Sequence, residues 1–131
     1  MQIANGIEEC ASLDELSEKV GFEVRTPQAL PFEPESIEYS SYRGDFAQVD
    51  YDGEGTHITY RVSAGSGDIS GDYNDYADTA KLSIEDAEVT LKGSVGNWQL
   101  AIWKDGDFSF SLSISPSLSE AQLKDIISNI K

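Results

Sequence analysis

The chain has 131 residues, with 9 Lys plus Arg against 24 Asp plus Glu and a formal net charge of −15. Chains of roughly 100–200 residues usually form one domain, so a single domain over residues 1–131 is expected. With 39% hydrophobic and 25% charged residues the composition is globular rather than disordered, and the acidic surplus excludes non-specific binding to nucleic acid or anionic lipid.

No run approaches about 18 consecutive apolar residues, so no membrane insertion is expected. Met1–Cys10 has neither a basic segment nor an apolar run, unlike a signal peptide. The lone Cys10 has no partner for an internal disulfide. Glu8, Glu9 and Asp14 surround it, and negative charge disfavours a thiolate, so Cys10 reads as a small half-buried apolar residue.

Ser12-Leu13-Asp14-Glu15 is a capping box. Leu13, Leu16 and Val20 follow at helical spacing and Gly21 suits a left-handed C-terminal cap, which predicts a helix over Leu13–Val20. Phe22–Arg25 reads as a strand, and Pro27, Pro31 and Pro34 then impose an extended connector. From Ile37 to Ile114 the apolar period is two. Ile37 and Tyr39 alternate with polar neighbours, as do Ala47, Val49 and Tyr51, then Ile58, Tyr60 and Val62. Val89 and Leu91 form a shorter run. Trp98, Leu100 and Ile102 define one side of the next strand, with Ala101 and Trp103 opposite. Trp98 is therefore expected in the core, and Trp103 opposite it, exposed for a contact or covered by a loop. Phe108, Phe110, Leu112 and Ile114 alternate with serines.

Asp52-Gly53-Glu54-Gly55, Gly93–Asn97 and Asp105-Gly106 separate these runs, and such short links force antiparallel hairpins. Strict alternation predicts one dry and one wet face. Ser117-Leu118-Ser119-Glu120 offers a cap for a closing helix whose stripe is Leu118, Leu123, Ile126, Ile127 and Ile130. The expected fold is α+β, a single antiparallel sheet of about five to seven strands with N-terminal and C-terminal helices packed on it.

Gly65–Asp78 lacks alternation and is rich in Gly and Asp. Loops of this length without secondary structure are uncommon and often functional. The glycine spacing Gly65, Gly67, Gly71 misses the dinucleotide fingerprint, and Asp68 and Asp72 would repel a pyrophosphate. Counted from Asp68, the EF-hand template finds Tyr73 where it needs Gly and Thr79 where it needs Glu, which leaves only an irregular calcium site. Asp and Asn can instead cap turns, with Tyr73 and Tyr76 pinning the loop. As a recognition loop, its candidate residues are Asp68, Asp72, Tyr73, Asn74, Asp75 and Tyr76.

His57 is the one histidine and lies on the strand side opposite Ile58, Tyr60 and Val62. No Gly-x-Ser-x-Gly elbow accompanies it. One Cys and one His make zinc improbable. Carboxylate pairs suited to glycoside hydrolysis are uninformative among 12 Asp and 12 Glu. No catalytic, cofactor-binding or metal residue is assigned.

Val20-Gly21-Phe22, Thr26-Pro27-Gln28-Ala29-Leu30-Pro31, Asp68-Ile69-Ser70-Gly71-Asp72-Tyr73-Asn74, Val89-Thr90-Leu91-Lys92-Gly93 and Leu100-Ala101-Ile102-Trp103 occur in this order. In these the chain resembles an uncharacterised bacterial domain family, frequent in Gram-positive gut clostridia. Its members look like extracytoplasmic domains behind a signal or lipoprotein anchor, or outer parts of anti-sigma-factor-like membrane proteins. The resemblance implies a secreted or lipid-anchored location with the leader outside this chain, and it carries over no functional residue. The expectation is a non-catalytic binding or sensor module without a cofactor, whose partner is a protein or small ligand. A small hydrolase using surface carboxylates and an irregular calcium module in the Gly65–Asp78 loop are the alternatives.

Overall fold

The computed structural model describes residues 7–28, 30–42, 46–64, 77–84, 87–106 and 108–130. Its strands are β1 (Ile7–Cys10), β2 (Ser36–Tyr42), β3 (Phe46–Gly53), β4 (Thr56–Ala64), β5 (Asp78–Ile84), β6 (Ala87–Ser94), β7 (Asn97–Asp105) and β8 (Phe108–Leu118). The helices are α1 (Leu13–Val20) and α2 (Glu120–Ser128). All eight strands join one antiparallel sheet in the order β1-β2-β3-β4-β8-β7-β6-β5. Two meanders therefore meet along β4 and β8 at the centre.

Eight strands exceed the expected five to seven. The additional ones are the two sheet edges, β1 (IEEC) and β5 (DTAKLSI). β1 carries no period-two alternation to mark it, whereas β5 does alternate, with Ala80, Leu82 and Ile84 on its more buried side, and was not among the expected runs. Conversely, Phe22–Arg25 joins no ladder. Its backbone is held by side chains instead: Val24 N donates to Ser17 Oγ at 3.0 Å, and Tyr60 Oη donates to the Arg25 carbonyl at 2.6 Å.

Helix α1 follows from local chemistry. Ser12 Oγ accepts from Glu15 N at 3.2 Å, and Glu15 Oε2 accepts from Ala11 N at 2.7 Å. Gly21 ends the helix at φ 82° and returns its N–H to Ser17 O, a conformation that costs glycine nothing. Helix α2 starts two residues later than a cap at Ser117 would allow. Ser119 and Gln122 form its capping box, while β8 runs on through Leu118, which pairs with Trp98. Leu118 thus belongs to the sheet, and Leu123, Ile126 and Ile127 are the buried stripe of α2.

The dry face carries Val49, Tyr51, Ile58, Tyr60, Val62, Phe110, Leu112, Leu91 and Trp103, all in one buried cluster. Helix α1 packs on β1, β2 and β3, and α2 on β5 and β7. Trp98 lies in the core as expected, and Trp103 joins it there instead of lying opposite: they are 4% and 5% exposed, and both lie in that cluster. Gly93 pairs with Trp98 while Lys92 pairs with Leu100, so Gln99 is an extra residue. A bulge of this kind re-aims the side chains on either side of it. It turns Trp98 to the same face as Trp103. Gly93 is needed there, because at φ 151° a Cβ would stand 2.7 Å from the Asn97 carbonyl oxygen.

The opposite face is wet along β3 and β4 but closed at the centre, where Leu100, Ser109 and Ser111 are buried. Ser111 is short and lies between Arg61 of β4 and Ile102 of β7. Longer neighbours can shield such a hydroxyl from water. Ser111 Oγ is buried without a hydrogen-bond partner.

Candidate functional site

Residues 22–28 and 30–35 form a strap over the dry face, held by a 3.2 Å bond from Glu33 N to Glu54 Oε2 and by four other attachments. Two are the Ser17 and Tyr60 bonds already described. Third, Gln28 N donates to Asn129 O at 2.8 Å, next to an isolated bridge between Pro27 and Ile130. Fourth, Glu35 N donates to Asp52 O at 2.6 Å. There the strap passes so close that a Cβ on Gly53 would lie 2.6 Å from Glu33 O. The Tyr60 hydroxyl is sealed beneath the strap at the Arg25 carbonyl, and burial pushes its pKa far above the ordinary phenol value.

Beside the strap, the chain leaves a hollow of about 310 Å³ lined by Phe22, Glu23, Arg25, Val62, Phe108 and Phe110. Arg25 and Phe110 also line a neighbouring hollow of about 130 Å³, which reaches Trp103, Asp105, Ile127 and Ile130. Aromatic packing sets the walls. The Phe22 and Phe108 rings meet edge-on at 5.1 Å, and Trp103 stacks on Phe110 at 5.2 Å and 3°. The Arg25 guanidinium stands 6.0 Å from the Phe110 ring centroid and 3.8 Å from Asp105 Oδ2. Arg25 and Asp105 side chains are 44% and 63% exposed, so their pair is a solvated one of small energetic weight. A mostly apolar concavity with a few polar groups is the usual form of a small-ligand site.

A second cluster lies on the wet face. Three directly opposed pairs of β3 and β4 are Gln48–Arg61, Asp50–Thr59 and Asp52–His57. Arg61 Nε donates to Gln48 Oε1 at 2.9 Å, Gln48 Nε2 to Asp50 Oδ2 at 2.8 Å, and Thr59 Oγ1 to Asp50 Oδ1 at 2.7 Å. His57 Nδ1 lies 2.9 Å from Asp52 Oδ1, and Nε2 lies 3.0 Å from Thr59 Oγ1 and 3.2 Å from Asp50 Oδ1. Partial burial pulls the His57 pKa down, but hydrogen bonding and charge from Asp52, then from Asp50, outweigh it and raise it above the ordinary value. The carboxylate–imidazole–hydroxyl order has the look of a nucleophile set. Here, however, the Thr59 proton is directed to Asp50, so His57 is placed to donate to this oxygen rather than to withdraw its proton.

The residues expected to form a recognition loop, Asp68, Asp72, Tyr73, Asn74, Asp75 and Tyr76, lie outside the described residues. Asp78, at the end of that stretch, caps the β6–β7 turn by accepting from Val95 N at 3.2 Å. Cys10 is half-buried and in no disulfide. It lines a hollow of about 180 Å³ at the β1–β2 edge with Glu9 and Glu38. Both glutamates are exposed, so nothing excludes water from between them. Among the described residues, no group of three or more His, Cys, Asp or Glu converges as metal ligands, and no helix is long and apolar enough to cross a membrane. The Arg25 hollow escaped the sequence reading because its lining comes from three separated segments. Its one local signal is Arg25 itself, a rare base in an acidic stretch.

Compared with known proteins, the chain matches no family model, no curated protein and no solved structure.

Proposed function

We propose that this chain is a non-catalytic binding or sensor module and that the hollow lined by Phe22, Val62, Phe108 and Phe110 is its ligand seat. The observation that carries this reading is the hollow itself, about 310 Å³ of largely apolar space with Arg25 at its edge. That volume falls near the lower end of the roughly 300–1,000 Å³ range of small-molecule sites. The strap that forms one wall is fixed at Ser17, Tyr60, Asn129 and Asp52, so the seat is largely formed before a ligand arrives, which limits the ordering cost of binding. A non-catalytic role agrees with a seat holding Glu23 and Arg25 as its charged side chains, without a nucleophile and base in contact. The family resemblance supports a place outside the cytoplasm, secreted or lipid-anchored, in a Gram-positive bacterium.

Indole, a neutral aromatic probe, tests the seat. Titrated into ¹⁵N-labelled protein, it is expected to shift the amides of Phe22–Arg25, Val62 and Phe108–Phe110. Shifts centred on Gln48–Asp52 and His57–Arg61 instead, or none at millimolar probe, would remove the hollow from consideration.

A further inference from the structure

We infer that the hollow selects a small cationic amphiphile, an aromatic or aliphatic body carrying an ammonium group; this rests on the hollow being the binding seat. The apolar half of the inference comes from Phe22, Phe108 and Val62. They offer ring and methyl surface and few hydrogen-bonding groups, so the body of the ligand is apolar.

The charge comes from the rim, where Glu23, Arg25 and Asp105 follow one another across the two connected hollows. The two linings thus hold two carboxylates and one guanidinium. Arg25 is already engaged, with Asp105 at 3.8 Å and the Phe110 ring beneath it at 6.0 Å. A ligand carboxylate at Arg25 would sit beside Asp105, whose like charge opposes it although the Arg25–Asp105 pair itself is weak. Glu23 is exposed, and among the described residues no ion pair engages it. It is therefore the uncompensated charge at the mouth of the larger hollow. An ammonium group there gains Glu23 when it is seated on the side of the hollow away from Arg25. The net charge of −15 acts in the same direction, drawing cations toward the surface and repelling anions.

A charge series on one body tests this: phenethylamine, phenethyl alcohol and 3-phenylpropionate, titrated by calorimetry and by the fluorescence of Trp103, which lines the adjoining hollow. Phenethylamine is expected to bind about fivefold more tightly than the alcohol, the scale of one exposed ion pair, and 3-phenylpropionate most weakly. Added salt should narrow the difference. Glu23→Gln should shrink the preference for amine over alcohol by about two- to fivefold. Phe108→Ala, checked for folding by circular dichroism, should weaken amine and alcohol alike. Tightest binding by 3-phenylpropionate would make Arg25 the selecting group and overturn the inference. Equal affinities would overturn it while leaving the seat in place. Failure of all three to saturate would overturn the seat as well.

Discussion

The β3–β4 hairpin shows two faces built by alternate residues of the same two strands and held by different physics. On one, Val49, Tyr51, Ile58, Tyr60 and Val62 are at most 4% exposed and join the common core. On the other, Gln48, Asp50, Asp52, His57, Thr59 and Arg61 bond to one another in half-open surroundings. The first face holds its energy in burial, which is large and insensitive to pH or salt. The second holds it in charges and hydrogen bonds that water competes for, each of small net value. The strap and its hollow lie on the first face. The candidate seat is thus framed by the part of the molecule hardest to deform.

The largest break in this contrast should come from Leu112→Ala at the centre of the dry face, where the side chain is fully buried. It should cost about 2–5 kcal/mol in denaturant unfolding. Next comes Tyr60→Phe. It removes the donor to the Arg25 carbonyl and should cost about 1–3 kcal/mol if that acceptor is left dry, with faster amide exchange along residues 22–28.

On the wet face, His57→Gln should cost less than about 1 kcal/mol, since the side chain is 41% exposed and screened. Its sign is defined by pH. The folded pKa of His57 is raised above the unfolded value of about 6.5. Its contribution is therefore complete below about pH 6.5 and lost as pH rises through the folded value. Unfolding curves of wild type and His57→Gln should converge on the alkaline side and separate on the acid side. The smallest effect belongs to Ser111→Ala. Removing a buried hydroxyl without a partner should leave stability unchanged or raise it by up to about 1 kcal/mol.

The legible parts of this fold are those whose causes are local. Ser12 and Gly21 bracket α1 by their own backbone chemistry, and Asp105-Gly106 marks a hairpin because Gly106 adopts φ 63°. The alternation of Ile58, Tyr60 and Val62 put them on the buried side and His57 on the other. What escaped depends on pairing register and on packing between elements, whether near or far along the chain. β1 and β5 exist because β2 and β6 complete them. The place of Trp98 depends on one inserted residue, Gln99, in a ladder with β6. The His57 contacts needed the register of Asp50 and Asp52 across the turn. The hollow needed the strap, β4 and β8 to come together.

The most direct test compares the two faces by ligand binding. Phenethylamine is titrated into Phe108→Ala, which alters the hollow, and into His57→Gln, which alters the polar ladder. The dry-face seat predicts that Phe108→Ala weakens binding about tenfold or more, as loss of a buried aromatic contact does, while His57→Gln binds as wild type does. Binding that survives Phe108→Ala and fails in His57→Gln would contradict the account and move the site to the polar face.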